Sequence, residues 1–298
     1  MYNITLHKTP KRLIVNFLPS IIGSLNDIKR YKDKRYPHYY LDFQNFKDID
    51  LVGVLVLYKY LDYAVVNRCF YNPQLNQFNA TMQAIKRYGF SDLIAKCFGD
   101  EKKAIELFSK LKVEIKDSFI IAPITFSSDN SNNNYSERQT YNQLLEYYDN
   151  DDVAVMIFSV FGELVSNFYA HANDKTRSII VGYGNKDYIE IACADSGEGI
   201  VNTLKQQYVL ANDLRYLEYS LRQNVTSKPD SNHMGCGLWQ INQLVKLNEG
   251  RMIIYTGSSY YYQSAGKTQF SIVPEWEGTI VYVKLNLRNP VKLSQIIA

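Results

Sequence analysis

Apolar and polar positions along the chain form two stretches of regular rhythm on either side of residues 127–134. That run holds only serine, asparagine and aspartate, cannot bury apolar surface, and reads as a linker. Upstream, residues 39–43 predict a buried strand. Residues 51–66 predict a helix, because Leu51, Leu55, Tyr58 and Asp62 recur every three or four positions. Residues 82–88 and 91–97 predict short helices around Gly89, and 118–122 a strand. Downstream, 137–148 and 153–172 predict helices, and 177–183 and 188–194 predict strands joined by a hairpin turn at 184–187. Residues 203–223 and 238–247 predict helices, and 251–256, 268–273 and 279–287 predict strands.

This pattern divides the chain into an α/β domain over 1–126, a polar linker over 127–136 and a second α/β domain over 137–298. A doubly wound parallel sheet would need a helix between all its strands, and the second half lacks them. It therefore predicts an α/β sandwich with a mixed sheet. The length of 298 residues suits two domains, and 46% hydrophobic content suits real cores.

Charge narrows the function classes. With 33 basic and 30 acidic residues the net charge is +3, too balanced for a nucleic-acid surface. The 25 tyrosines are read as compositional bias. Cys69, Cys97, Cys193 and Cys236 are scattered without metal-ligand spacing, which suits a reduced, cytoplasmic protein. Lys11 and Arg12 before an apolar run faintly resemble a leader, but Asn16 and Pro19 interrupt it and no cleavage site follows. No apolar run approaches the ~18 residues that span a bilayer, so no membrane association is expected.

Four short patterns carry candidate chemistry. On the helix over 153–172, Val160, Phe161, Leu164, Val165 and Phe168 form an apolar face. Ser159, Glu163, Ser166, Asn167 and Ala170 form a second stripe. Burying an unpaired carboxylate is costly, so Glu163 must meet solvent, a partner or a ligand. Glu163 and Asn167, one turn apart, present oxygens suited to Mg²⁺, or simply a solvated face. Asp195 ends a buried strand and is followed by Gly197 and Gly199. A carboxylate fixed there can accept from an exocyclic amine, although many tight turns share the pattern. Gly235 and Gly237 open the helix over 238–247, where free N–H groups favour an anion, or a hinge. Last, Glu277, Gly278 and Thr279 start a strand.

In order, Glu-x-x-x-Asn, Asp-x-Gly-x-Gly, Gly-x-Gly-Leu and Gly-Thr resemble the signature of the GHKL superfamily, the histidine-kinase-like ATPases, over about residues 137–287. The resemblance implies a Bergerat-type sandwich that binds ATP and Mg²⁺. It implies that Asn167 is the Mg²⁺ ligand, Glu163 the catalytic acid–base group and Asp195 the adenine reader. Gly197 and Gly199 would let the nucleotide approach, Gly235 and Gly237 would hinge a lid over about 201–234, and Thr279 would support Asp195. Thr226, Ser227 and Lys228 resemble the segment that reaches the terminal phosphates. Ala170 stands where many sensor kinases carry a cation, so Lys228, His171 or a partner must compensate. His7 and His38 lie in loop-like contexts and His233 in the lid, so an autophosphorylating sensor kinase is not expected.

The N-terminal half resembles a STAS domain through Leu41-Asp42-Phe43, Ile49-Asp50-Leu51-Val52-Gly53 and Gly89-Phe90. Relatives switched by phosphorylation have a serine after the aspartate, and Leu51 has no hydroxyl. The expectation is a Mg²⁺-dependent ATP-binding protein of bacterial-type signalling. It would act as an ATPase or as a protein kinase toward a Ser or His of an unidentified partner. The alternative is an ATP-gated switch with little turnover. The excess apolar surface of the helix over 51–66 allows a homodimer.

Overall fold

The computed structural model describes residues 12–29, 48–66, 80–113, 117–126, 136–171, 178–226 and 235–297. The chain divides into two compact units, Met1–Lys116 and Asp117–Ala298.

In the first unit, β1 (Arg12–Leu13) pairs in parallel with β2 (Asp48–Ile49). A 3₁₀ turn at Val15–Phe17 leads into α1 (Leu18–Lys29). Then follow α2 (Leu51–Val66), α3 (Ala80–Arg87), α4 (Ser91–Ala95) and α5 (Glu101–Lys110). Asp50 starts α2. One carboxylate oxygen accepts from the Gly53 N–H at 2.9 Å and the other from the Val15 N–H at 2.7 Å. From Leu51 to Leu61 every α2 side chain is buried, as a helix apolar all round requires. The apolar excess that suggested a second subunit is thus covered within the chain. The expected strand over 39–43 lies outside the described residues.

The second unit comprises β3 (Phe119–Phe126), α6 (Glu137–Tyr148), α7 (Asp151–His171), β4 (Ser178–Gly184) and β5 (Tyr188–Ala194). It continues with α8 (Gly199–Lys205), α9 (Asp213–Ser220), α10 (Gly237–Leu247), β6 (Arg251–Ser264), β7 (Lys267–Asn286) and α11 (Ser294–Ile297). The five strands lie in the order β3-β4-β5-β7-β6, and all four pairings are antiparallel. The chain is therefore α/β, but the sheet is not mixed as expected. Tight hairpins explain part of this: Asn185 closes the β4–β5 turn, and Ala265 and Gly266, both at positive φ, close β6–β7. One face of the sheet packs on α6, α7 and α10 through side chains such as Leu144, Ile157, Phe161, Ile191, Val245 and Val283.

Three further expectations change. The strand expected at the end of the first domain, β3, pairs with β4, so the division falls before it, at Lys116, rather than at 126. The single helix expected over 203–223 is two helices. Asn212 starts the second by accepting from the Arg215 N–H at 3.1 Å. The strands expected over 268–273 and 279–287 are one strand, β7, and β6 runs on beside it to Ser264. Among the described residues no helix is long and apolar enough to cross a membrane.

Candidate functional site

The β5–β7 pairing ends with Ala194 opposite Ile280, and the next residues form the core of the site. The Asp195 N–H donates to the Thr279 carbonyl at 2.9 Å. In return the Thr279 N–H donates to the Asp195 carboxylate at 3.3 Å, and the Gly197 N–H donates to the same oxygen at 2.7 Å. Gly278 makes this close pairing feasible. Its φ is +102°, and a Cβ there would lie 2.3 Å from the Asp195 carbonyl oxygen. It belongs to a bulge, since Thr256 pairs with Thr279 but Gly257 pairs with Trp276. Bulges re-aim side chains next to functional sites.

Helix α7 supplies Glu163 and Asn167, both half-buried on one face. They meet the start of α10. A Cβ on Gly237 would lie 2.4 Å from Glu163 Oε2 and 3.9 Å from Asn167 Nδ2, so only glycine leaves that carboxylate where it stands. Cys236 offers no side-chain cap to α10, whose positive dipole end thus lies beside an acid. Gly235, at φ +66°, would place a Cβ 2.6 Å from the Val225 backbone. Gly235 thus lies close against the Val225 backbone.

These elements enclose a cavity of about 290 Å³. Glu163, Asn167, Asp195, Gly199, Gly235, Gly237 and Thr279 all line it. Gly197 is not among the lining residues; its contribution is the N–H that holds Asp195. Lys228 lies outside the described residues. The segment expected to be a lid is, over 199–226, a folded cap with its own small core of Val201, Leu204 and Tyr216.

Thr226, expected near the terminal phosphates, lines the cavity as well, whereas sequence reasoning missed the apolar walls, Leu164, Ile200, Leu204, Leu238 and Val281, and the polar residues Cys193, Thr203, Ser220, Cys236 and Gln240. Alternation along β5 could have placed Cys193 on the same face as Asp195. Burial, and next the Asp195 carboxylate, push the Cys193 thiol up, so it serves as a neutral wall. Among the described residues no lysine, arginine or histidine lines the cavity. Nor do they contain a cluster of three or more His, Cys, Asp or Glu able to hold a metal. One carboxylate and one amide suit Mg²⁺ only beside a ligand that brings its own phosphate oxygens.

No protein-family model and no curated protein matches the chain.

Proposed function

We propose that this chain binds ATP with Mg²⁺ through a GHKL-type domain in its second unit, and hydrolyses it or passes its terminal phosphoryl group to a Ser or His of a partner. One observation carries this reading. Residues of four separate sequence patterns, drawn from α7, the end of β5, the start of α10 and β7, line one cavity. The same cavity is lined by a fixed carboxylate, by apolar walls and by the first residue of α10. That combination suits an aminopurine at one end and phosphates at the other.

In this reading Asp195 accepts from the exocyclic amine of adenine, held by the Gly197 and Thr279 N–H groups. Asn167 and the phosphates would hold Mg²⁺, which supplies charge neutralisation when bound. Glu163 takes the proton from the attacking water or hydroxyl. The new bond forms to the γ-phosphorus as its bond to the ADP oxygen breaks, and catalysis is mostly positioning and charge stabilisation. The first unit is read as a STAS-like docking surface, supported by Asp50 and Leu51 at the junction of β2 and α2.

A second reading, an ATP-gated switch with little turnover, draws on the missing cation. Ala170 replaces one in the sequence, and none lines the cavity among the described residues. Glu163→Ala separates the two, since a base acts mainly on the transition state. The variant should bind ATP in calorimetry like the wild type and lose at least tenfold in phosphate release. Equal turnover in both proteins would leave the switch as the better reading.

A further inference from the structure

Thr256 does not line the cavity, is fully buried, and sits on β6 as an ordinary strand residue by sequence. Its hydroxyl oxygen accepts from the Ile200 N–H at 2.8 Å, across 56 positions of sequence. It also lies 3.4 Å from the Thr279 hydroxyl oxygen. Ile200 is in the first turn of α8, where N–H groups have no partner within the helix. Glu198, just before that helix, makes no side-chain cap bond. Thr256 therefore caps α8 from a neighbouring strand. Gly199 makes the approach feasible, since a Cβ there, at φ +77°, would lie 2.7 Å from the Thr256 hydroxyl.

We propose that Thr256 is a positioning residue of the nucleotide site, a role that rests on the reading above. The hydroxyl ties α8 to the β6–β7 ladder, and α8 supplies Ile200, Thr203 and Leu204 to the cavity wall. A threonine hydroxyl has one proton and two lone pairs. With one lone pair engaged by Ile200, its proton and second lone pair are left for Thr279, whose backbone holds Asp195. One side chain thus touches both the helix that walls the cavity and Thr279, whose backbone N–H holds the Asp195 carboxylate. Valine suits the strand and is close in size, but puts a methyl that cannot accept a hydrogen bond where the hydroxyl meets the Ile200 N–H.

The test compares wild type, Thr256→Val, Thr256→Ala and Thr256→Ser in the full chain. Calorimetry reads ATP and GTP affinity, and amide hydrogen exchange without nucleotide reads Ile200. The two hydroxyl-less variants should bind ATP at least fivefold more weakly, discriminate less against GTP, and exchange the Ile200 amide faster. Thr256→Ser should restore all three to within twofold. Wild-type affinity in Thr256→Val, or failure of Thr256→Ser to restore it, overturns the positioning role alone. A wild-type chain that binds no ATP overturns the nucleotide reading and this role with it.

Discussion

Two backbone N–H groups converge on one oxygen of Asp195, and both come from residues the local fold fixes, Gly197 and Thr279. An asparagine side-chain oxygen could still accept both, so Asp195→Asn removes charge while leaving the local bonds. A hydrogen bond to a charged group contributes about 1.5–3 kcal/mol. The expected outcome is at least a tenfold loss of ATP affinity with little change in thermal stability. Calorimetry with ATP and GTP on both proteins checks it, and equal GTP and ATP binding by the wild type would remove Asp195 as a base reader. The glycines divide by what their missing Cβ would strike. At Gly237 the obstacle is the far end of the flexible Glu163 side chain, whereas at Gly278 it is the Asp195 backbone at φ +102°. Gly237→Ala should therefore keep or slightly raise stability, by up to about 1 kcal/mol, because alanine suits a helix better. It should still lower turnover at least tenfold by moving the carboxylate. Gly278→Ala should lower stability by about 1–3 kcal/mol through backbone strain. Thermal unfolding and phosphate release measured on the same two variants check both halves, and similar unfolding temperatures would contradict the contrast.

Among the elements, those set by long local periodicity were legible. The helices Leu51–Val66 and Glu137–Tyr148 and the strand Tyr188–Ala194 match their expected bounds. Local chemistry also marked the cavity's lining, because Glu163 with Asn167 is set by spacing within one helix, and Asp195 with its glycines by spacing across one strand-to-helix turn. What escaped was decided by contacts far apart in sequence. Pro274 and Gly278 look like strand breakers, yet β7 passes through both because the ladder to β6 slips there. Beyond that slip, with Gly257 at φ +53°, the faces of β6 exchange. Met252 and Ile254 face the helices before it, and Tyr261 does so after it, donating to Asn242 on α10 at 2.8 Å. Period-two reading cannot carry a face through a bulge. Helix α5 is short and mostly exposed, held by Asp100 at its start and by the Ala104 and Phe108 pair one turn apart. It was readable in principle, since Asp100 is a helix-start residue and Ala104, Ile105, Leu107 and Phe108 recur at helical spacing. The break between α8 and α9 was readable in principle, since Asn212 followed by Asp213 is a helix-start signal. A continuous helical reading overrode it.

At the scale of the whole molecule, the polar run over 127–134 suggested the place to divide the chain, and the sheet puts the division elsewhere. A linker is recognised by composition, but a domain boundary is set by where contacts stop, and strand pairing crosses this run. Phe119, Ile121 and Phe126 of β3 are buried in the same core as Leu144 and Ile180, and β3 covers the edge of β4 from Ser178 to Gly184. Burying one such side chain contributes about 1.5–3 kcal/mol. Losing three together costs on the order of 5 kcal/mol or more, comparable to the whole stability of many domains. It also bares the β4 edge, a template for pairing between chains. The two candidate boundaries therefore predict different behaviour for two fragments. Residues 117–298 keep β3, and residues 137–298 begin where the sequence alone would cut. The longer fragment should unfold at a temperature higher by ten degrees or more, at roughly 2–4 °C per kcal/mol for a domain of this size. The shorter one should aggregate at micromolar concentration. Scanning calorimetry and light scattering on the pair measure both effects. Equal unfolding temperatures, with both fragments monodisperse, would show that β3 is dispensable to the sheet and return the boundary to the polar run.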